Sequence, residues 1–254
     1  MVEEWRLVEL EHQNPYLNMA LEEAIPTMVG GGLAPETLRF WRNTSAVVIG
    51  RFQCVELEVN LEACKRYGVS VVRRFTGGGA VYHDLGNLNY AISLRKDNRL
   101  LQDDLLENFK TLSLGVTEGL RHLGLTSELG RNSLISVKGK KVSGVAASSS
   151  GKVFFQHGTL LVNTDLRILS EVLNSPRVEA TEKGVRSTKS AVTSLRDELG
   201  RNIPLSQVKR ALIAGFQEAH SVKLIPEGLT SEEKELAKRL YEMKYSREKW
   251  NFEL

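Results

Sequence analysis

One stretch of fifteen residues in the first half of the chain concentrates groups that could bind an anionic ligand. The segment RRFTGGGAVYHDLGN runs from Arg73 to Asn87 and combines two arginines, three consecutive glycines and a His-Asp pair. Glycines that follow a strand let the backbone approach a ligand closely, and their N–H groups can form a nest for a phosphate or a carboxylate. A simple turn explains the three glycines, taken alone, equally well.

The distribution of charge favours the ligand-binding interpretation. No aspartate or glutamate lies between Glu62 and Asp84, and none lies between Glu128 and Asp165. The lysines and arginines of these two segments are Lys65, Arg66, Arg73, Arg74, Arg131, Lys138, Lys140, Lys141 and Lys152, and the second segment also contains His157. Basic walls raise the local concentration of an anionic ligand and stabilise charge that develops on it. Either segment alone could be the solvated face of ordinary strands, but the two together predict an anion site.

The glycine stretch matches neither of two common nucleotide-binding motifs. It is not the P-loop G-x-x-x-x-G-K-[ST], and the residues after Gly79 look like a strand, whereas the G-x-G-x-x-G fingerprint opens a helix. Cys54 and Cys64, the two cysteines of the chain, have no histidine near them in sequence. We interpret them as reduced structural thiols rather than as zinc ligands or a disulfide framework.

Composition limits the class of protein. Of the 254 residues, 41% are hydrophobic and 26% are charged, which is typical of a soluble globular chain and leaves little room for long disorder. The formal net charge of +3 is too small to indicate a nucleic-acid-binding protein. The N-terminus has no apolar signal segment, and no run approaches the roughly 18 apolar residues of a membrane span. We therefore expect a cytoplasmic protein without nucleic-acid or membrane partners.

The first elements that must position these residues are a helix and several strands. A helix is predicted to begin at Pro15 with Asn14 as its N-cap, and Pro26 is expected to end or kink it. A glycine loop at residues 30–33 should follow. Strand-like runs, expected to share one sheet, are TLRFW, AVVIG, VSVVRRF, GAVYH and LNYAISL.

The second half combines a hairpin with helices. Apolar residues at helical spacing predict a helix over about 105–123 that packs on the sheet. The runs KVSGVAASSS and VFFQHGTLLV, separated by Gly151 and Lys152, predict a hairpin. The chain after Asp165 is predicted to be helical, including PLSQVKRALIAGFQEAH and SEEKELAKRLYEMKY. This order indicates an α+β fold, a mixed β-sheet flanked by helices, in one domain over residues 1–254.

Several motifs together resemble the lipoate–protein ligase A family. In family order they are RRFTGGGAVYHDLGN, GRN, KKVSGVA, HGTLLVNTDL, KGVRSTKSAVTSL and the ending YSREKWNF. The resemblance covers nearly the whole chain and implies the catalytic fold of biotin and lipoate protein ligases, which is similar to that of class II aminoacyl-tRNA synthetases. It also implies a two-step reaction: lipoate and ATP form lipoyl-adenylate, and the lipoyl group then passes to a lysine of an acceptor domain.

The resemblance implies roles for individual residues. Lys141 matches the catalytic lysine that contacts both the lipoate carboxyl group and the α-phosphate, where a cation would offset the repulsion between two anions. Nucleotide contacts are implied for Asn132 and Ala146 as well. Residues implied to contact lipoate or the adenylate are Arg74, Gly77, Gly78, Gly79, Val81, Tyr82, His83, Asn87, Gly144 and His157.

Three of these assignments have simpler interpretations. Without the resemblance, Lys141 would be a surface lysine of a hairpin beside Lys140. His83 could be a structural histidine, and if it acts it should orient the ligand or the loop, because attack by a carboxylate requires no proton to be removed. His157 could act through neighbouring groups at least as well as by direct contact.

Cofactors and partners also follow from the resemblance. It implies ATP with Mg²⁺, held mainly through the phosphates; Ser133 stands where many members carry a carboxylate, so no metal ligand is carried over to it. The implied acceptors are the E2 component of 2-oxoacid dehydrogenases or the H protein of glycine cleavage. The chain stops just after EKWNF, about where the family's large domain ends. We therefore expect that the C-terminal accessory domain is absent and that a separate protein supplies it, as in two-part archaeal ligases.

Three other functions stay open. An octanoyltransferase or lipoyl amidotransferase on the same fold would use a cysteine thioester and needs a reactive thiolate, but the segment VSGVAASSSG after Lys141 has no cysteine. Biotin ligation is disfavoured because RRFTGGG is not the characteristic glycine-arginine loop of those enzymes. A non-catalytic lipoyl-binding scaffold would lack ATP–pyrophosphate exchange. The sequence alone does not distinguish lipoate from octanoate.

Overall fold

A computed structural model describes residues 2–130, 134–174, 187 and 190–253. The strands are β1 (Glu3–Glu9), β2 (Thr37–Trp41), β3 (Ser45–Ile49), β4 (Ser70–Arg73), β5 (Val81–Asp84), β6 (Asn87–Arg95), β7 (Glu128–Leu129), β8 (Leu134–Val137), β9 (Lys140–Ser150), β10 (Val153–Leu161) and β11 (Val222–Pro226). The helices are α1 (Pro15–Gly30), α2 (Val55–Glu58), α3 (Leu61–Tyr67), α4 (Leu105–His122), α5 (Leu166–Val172), α6 (Leu195–Leu199), α7 (Leu205–His220), α8 (Ser231–Leu240) and α9 (Glu248–Phe252), with a π-helical turn (Tyr241–Tyr245) after α8.

The large sheet has eight strands in the order β11-β1-β2-β6-β10-β9-β8-β7. Strands β11, β1 and β2 are parallel to one another, and the remaining pairs are antiparallel. The predicted hairpin is confirmed, because β9 and β10 pair from Ser150 and Val153 onwards across the turn at Gly151 and Lys152. A mixed sheet flanked by helices is therefore the observed architecture, as the sequence predicted.

The expectation that the early strands share one sheet was wrong. Strand β3 pairs with β4 in parallel and with β5 in antiparallel orientation, and these three strands form a separate small sheet. Alternating apolar residues indicate that a segment is a strand, but they do not specify its partner. Strands β1 and β11 were not predicted. The segment EEWRLVE opens with two charged residues, which do not suggest a strand. The segment VKLIP is short and ends at a proline, so it resembles a loop between two helices.

Helix predictions were mostly confirmed. Asn14 caps α1 by accepting hydrogen bonds from the N–H groups of Tyr16 and Leu17, and Asp104 caps α4 in the same way. Pro26 does not end α1, which continues to Gly30. A proline removes one helical hydrogen bond, and the buried packing of this helix against β6, β10 and α8 outweighs that loss. Within the described residues, no helix has both the length and the apolar character needed to cross a bilayer.

The two faces of the large sheet have different partners. Strand β6 alternates, with Leu88, Tyr90 and Ile92 in the main apolar core and Asn89 and Ala91 on the opposite face. Helices α4 and α7 cover the apolar face, where burial of each large side chain contributes about 1.5–3 kcal/mol. Helix α1 and the small sheet cover the opposite, more polar face. Functional side chains are therefore held between two sheets.

Candidate active site

A cavity of about 360 Å³ lies between the two sheets. Its floor contains a row of register partners, in which Trp41 of β2 pairs with Asn89, Asn89 with Thr159, and Thr159 with Gly144 of β9. Residues directly opposite each other in antiparallel strands point to the same face. Because neighbouring strands lie about 4.8 Å apart, the backbone of this row is roughly 14 Å long from Trp41 to Gly144.

Most residues singled out from the sequence line this cavity. Those that line it are Arg74, Gly78, Gly79, Val81, His83, Lys141, Gly144, Ala146 and His157. Three do not. Tyr82 lines an adjoining cavity of about 240 Å³, the Gly77 carbonyl points to Arg74, and the buried Asn87 donates to Asn89 Oδ1 at 2.8 Å. Asn132 lies outside the described residues, as does Ser133.

Lys141 lies where the two cavities meet. Its backbone is fixed on both sides, because its N–H donates to the Ala191 carbonyl at 2.8 Å and its carbonyl accepts from the Thr193 N–H at 2.9 Å. Its side chain lines both cavities, and in the described part of the chain Nζ contacts no hydrogen-bond acceptor or carboxylate. Burial, followed by the positive charge of Arg74, lowers the pKa of Lys141. A buried ammonium group without a partner is costly, and a bound anion would stabilise it.

Arg74 organises the glycine loop rather than pointing freely into the cavity. Its guanidinium donates to the carbonyls of Gly77 (2.6 Å), Gly79 (2.9 Å) and Val48 (3.1 Å). Burial lowers its pKa to about 10, so it stays charged at neutral pH. Because a trans peptide holds its C=O and N–H in opposite directions, drawing in the Gly77 carbonyl turns the Gly78 N–H away from Arg74. Gly78 has φ +88°, a left-handed conformation that favours glycine.

His157 belongs to a buried polar chain that sequence reasoning missed. Its Nδ1 lies 2.9 Å from a Glu22 carboxylate oxygen, and its Nε2 lies 2.8 Å from Thr76 Oγ1. The other Glu22 oxygen accepts from Arg39 at 2.8 Å, and Thr76 Oγ1 accepts from Arg74 Nε at 3.1 Å. Burial lowers the pKa of His157 despite the opposing effect of Glu22. A neutral His157 therefore donates to Glu22 and accepts from Thr76.

The position of Glu22 within α1 gave some indication that it has a buried partner. It lies four residues after Asn18 and three after Met19 on the face of α1 that packs inward, where a helix normally presents apolar residues. A carboxylate on such a face requires a buried partner. Thr76 gave no comparable signal.

His83 is buried beside Trp41, with ring centroids 5.7 Å apart. Its Nδ1 lies 3.2 Å from the amide nitrogen of Asn43. Burial above all, and then the charge of Arg74, lowers the pKa of His83 to about 3, so the ring is neutral at physiological pH. Trp41 and Asn89 line the same cavity and were also missed, because an aromatic or amide residue within a strand is not distinguished by its spacing.

The charged residues among the described lining of the larger cavity, Arg74 and Lys141, are both positive. The two acid-free segments meet here: Arg74 and His83 come from the first, and Lys141 and His157 from the second. Among its described lining residues the larger cavity has no carboxylate. Glu58 lines the smaller cavity, where its carboxylate accepts from the Ser187 N–H at 3.3 Å. The arrangement is suited to an anion beside Lys141.

Neither cysteine contributes to the described lining of these cavities. Cys54 Sγ lies 2.8 Å from the Glu56 carboxylate, and burial together with this contact raises the pKa of its thiol. Burial raises the pKa of Cys64 to about 11. Both thiols are therefore protonated at neutral pH, and neither is a nucleophile at the site.

The described ranges contain no group of three or more His, Cys, Asp or Glu side chains that could hold a metal ion.

Comparison with known proteins gives the family. Residues 14–217 match the lipoyl protein ligase A/B catalytic domain. Lipoate-protein ligase A subunit 1 of Thermoplasma acidophilum is 36% identical over 262 residues, which cover 99% of this chain and 97% of that protein. Octanoyltransferase LipM of Brevibacillus brevis is 31% identical over 274 residues, which cover 98% of this chain and 99% of that protein.

Solved structures agree over nearly the whole length. The bi-partite lipoate protein ligase of T. acidophilum, studied with its E2 lipoyl domain, superposes with a TM-score of 0.84 at 34% identity, covering 98% of this chain and 96% of that one. A lipoate-protein ligase A bound with ATP gives a TM-score of 0.85 at 34% identity, covering 98% of both chains. Because the domain match spans most of its length, this chain belongs to the lipoyl protein ligase A/B catalytic-domain family.

Proposed function

We propose that the protein is an ATP-dependent lipoate–protein ligase. It would activate lipoate as lipoyl-adenylate and transfer the lipoyl group to a lysine of a lipoyl-acceptor domain. The observation that carries this proposal is the position of Lys141, a cation without a partner among the described residues at the junction of two cavities. Two substrates that each carry a negative charge would meet at that junction.

The two cavities divide naturally between the substrates. The larger one, with its floor roughly 14 Å long between Gly144 and Trp41, suits an extended acyl chain whose carboxylate lies at Lys141. The smaller one, lined by Tyr82, Leu169 and Asn174, suits the nucleotide. The carboxylate oxygen attacks the α-phosphorus and pyrophosphate leaves. Lys141 would reduce the repulsion between the two anions and stabilise the charge that develops on the phosphate oxygens.

Transfer requires little further chemistry from the protein. The acceptor amine, deprotonated, attacks the acyl carbon of the adenylate, and AMP leaves. Since the adenylate is already activated, the main contributions are positioning and electrostatic stabilisation. The loop of Gly77, Gly78 and Gly79, fixed by Arg74, would supply backbone contacts at close range. ATP would enter as its magnesium complex, with the metal on the phosphates.

Octanoyl transfer is the alternative that the relatives raise, since several of them are named octanoyltransferases. A thioester route needs a thiolate that the acyl group can reach. Both cysteines of this chain are described, both have a raised pKa, and neither is among the described lining residues of the cavities. This favours ATP-dependent activation.

Two kinds of partner belong to the proposal. The acceptor would be the lipoyl domain of a 2-oxoacid dehydrogenase E2 component or the H protein of glycine cleavage. The T. acidophilum relative is a subunit of a bi-partite ligase, and we propose that a second protein completes the present enzyme as well. Ligation by the purified chain alone, at a rate that the second protein does not increase, would contradict this.

The test is lipoate-dependent ATP–pyrophosphate exchange, measured with and without the candidate second protein. We expect exchange that requires lipoate and that survives in a Cys54→Ser, Cys64→Ser double variant. Octanoyl transfer from acyl-carrier protein is measured in parallel. No exchange under either condition, together with octanoyl transfer that the double variant loses, would identify a transferase.

A further inference from the structure

A groove of about 790 Å³ lies on the surface beside the C-terminal helix α9. This basic groove is bounded by the loop of residues 50–53 after β3 and by residues 243–253 of the π-helical turn and α9. It shares no described lining residue with the two cavities around Lys141. Of its own described lining residues, five are basic, three are apolar and one is acidic. It is therefore a surface separate from the candidate active site.

Two of the five basic side chains are already paired. Arg73 is buried, and its guanidinium donates to the carbonyls of Trp250 at 2.8 Å and Gln53 at 2.7 Å. Lys244 Nζ donates to the Glu23 carboxylate at 2.6 Å and lies 4.1 Å from the centre of the Trp250 ring. These two residues hold the walls of the groove in place and leave little charge for a partner.

The other three basic residues, Arg51, Arg247 and Lys249, are exposed. In the described part of the chain none of their side chains contacts a carboxylate, and Arg247 donates instead to the Glu242 carbonyl at 2.7 Å. Glu253 is the one carboxylate among the described lining residues. The groove therefore carries an excess of positive charge, which favours an acidic partner.

Apolar side chains lie among these cations. Met243 is 77% exposed and Phe52 is 53% exposed, and both line the groove together with Trp250. Single exposed apolar residues are common on protein surfaces, but a group of them rimmed by charge marks an interaction site. Methionine and aromatic residues are also enriched in protein interfaces. The groove can therefore receive an apolar side chain from a partner.

The basic groove adjoins the glycine loop of the candidate active site. Phe52 lines the groove, and its Cδ2 lies 3.8 Å from the point at which a Cβ atom of Gly77 would stand. The Arg51 N–H donates to the Thr76 carbonyl at 2.9 Å. A protein bound in the groove would therefore lie directly beside the loop that borders the site.

The composition of the groove indicates a transient partner. The cores of permanent interfaces are apolar and depleted of charge, whereas this groove places exposed cations around a few apolar side chains. Charges so arranged accelerate the encounter with an acidic partner. The proposed reaction requires a partner of this kind, since an acceptor domain must arrive, present its lysine and depart in every turnover.

We propose that the basic groove is the docking surface for the acceptor domain, which presents carboxylates to the three exposed cations and an apolar side chain to Phe52 and Met243. The inference rests on the proposed function, because it takes the partner to be the protein that receives the lipoyl group. The groove has no described lining residue in common with the cavities assigned to lipoate and the nucleotide. Adenylation should therefore not depend on it.

The test measures transfer and activation separately, with the candidate second protein present. Transfer is the kcat/KM for lipoylation of the apo lipoyl domain of E2 and of apo H protein, and activation is lipoate-dependent ATP–pyrophosphate exchange. Lys249→Glu should lower kcat/KM for an acceptor about tenfold or more at low salt. The loss should shrink at about 1 M salt, where the Debye length is about 3 Å. Exchange should keep its wild-type rate.

Two further variants complete the comparison. Met243→Ser tests the apolar contact and should lower kcat/KM for transfer about threefold or more at both salt concentrations. Lys96→Glu makes the same change of charge at an exposed position outside the groove, just after β6. This matched control should leave transfer and exchange unchanged.

Calorimetry of each apo acceptor with the enzyme gives a readout that does not require turnover. The wild-type protein should bind an acceptor, and Lys249→Glu should bind it about tenfold more weakly at low salt. Absence of acceptor binding, wild-type transfer in Lys249→Glu, or an equal loss in Lys96→Glu would each overturn the proposal. A weaker affinity of Lys249→Glu for the second protein, with unchanged transfer, would also overturn it and assign the groove to that protein. Absence of exchange in the wild-type protein would contradict the ligase function itself, and acceptor binding would then decide the role of the groove.

Discussion

The amine of Lys141 lies directly over the α-carbon of Gly144. A Cβ atom added to Gly144 would stand 2.7 Å from both Cε and Nζ of Lys141. Gly144 has an ordinary strand conformation, without a positive φ, so backbone freedom does not explain the glycine. It is the absence of a side chain that lets the lysine reach the junction of the two cavities.

Gly144→Ala should therefore displace the Lys141 amine while leaving the fold intact. The clash is with the end of a flexible side chain, which can move at little cost in stability. Misplacement of a reacting group by about 1 Å can lower a rate by roughly a hundredfold, and we expect a loss of about 10- to 100-fold in lipoate-dependent pyrophosphate exchange. Gly228→Ala is the matched control, since nothing lies within 4 Å of its added Cβ and its φ is not positive. Equal rates in the two variants would contradict the relationship.

Lys141→Met tests the charge itself. The variant keeps most of the apolar stem and removes the cation, and loss of one preorganised electrostatic group typically costs about 10²–10³ in rate. Since burial of this ammonium opposes its charge, the variant should also be more stable, with a melting temperature about 2–4 °C higher for each kcal/mol gained.

Lys140→Met is the control for that experiment. Lys140 is the exposed neighbour on the same strand, so its replacement should change neither exchange nor melting temperature appreciably. If the Lys141→Met protein retains full exchange, the Lys141 cation is not needed for the reaction, and the proposed function loses its main support.

Two adjacent arginines should differ in their effect on activity per folded molecule. Arg73 donates to the carbonyls of Gly50, Gln53 and Trp250, so it joins β4 to the C-terminal helix, whereas Arg74 holds the glycine loop. Arg73→Lys should lower the free energy of unfolding by about 2 kcal/mol, because buried carbonyls lose their donors, with little change in activity per folded molecule. Arg74→Lys should lower stability to a similar extent, because the carbonyls of Val48, Gly77 and Gly79 lose their donor, and it should also lower exchange per folded molecule.

Urea unfolding and exchange measured on the same preparations distinguish the two roles. If both variants lose activity in proportion to stability alone, Arg74 has no special role in the loop.

How much of this site could be predicted from the sequence depends on the kind of residue. Lys141, Arg74 and the glycines belong to motifs in which binding an anion requires residues of these types. The two acid-free segments indicated that these residues would lie around one site. Glu22 and Thr76 depend on which helix and loop pack behind His157, and single-sequence patterns do not encode that packing. The same limit explains why the strands were found but their division into two sheets was not.

Glu22→Gln tests the buried chain behind the site. The substitution keeps the shape and removes the charge that Arg39 and His157 share, so Arg39 is left as a buried cation without a counter-ion. Breaking a buried ion pair costs about 3–5 kcal/mol. We therefore expect the free energy of unfolding, measured with urea, to fall by at least about 3 kcal/mol. Glu4→Gln, which removes an exposed pair with Lys223, should change the free energy by well under about 1 kcal/mol.

A second substitution tests whether the loss of stability comes from the uncompensated charge of Arg39. Glu22→Gln combined with Arg39→Met removes both charges and should recover part of the lost stability, because the uncompensated cation is gone. A double variant no more stable than Glu22→Gln alone would contradict this explanation.

Buried histidines should make the protein sensitive to acid. Burial lowers the pKa of His220 to about 4 from its ordinary value of 6.5, and that of His83 to about 3. Below pH 6.5 the unfolded chain therefore binds protons that the native protein does not, and stability falls as the pH decreases. Each such histidine contributes at most about 1.4 kcal/mol per pH unit between its two pKa values and slightly less near either value, so two of them should give a loss of about 2–2.5 kcal/mol from pH 6 to pH 5.

Substitution of one histidine can show how much of this dependence of stability on pH comes from that residue. His220 packs against the rings of Trp5 and Phe216, so His220→Phe keeps an aromatic ring and removes the titrating group. Its free energy of unfolding, measured by urea at pH 6 and at pH 5, should fall by about 1.2 kcal/mol less than that of the wild-type protein over this pH unit. If His220→Phe has the wild-type slope, the acid sensitivity comes from other groups, and His220 accepts its proton in the folded protein as readily as in the unfolded one.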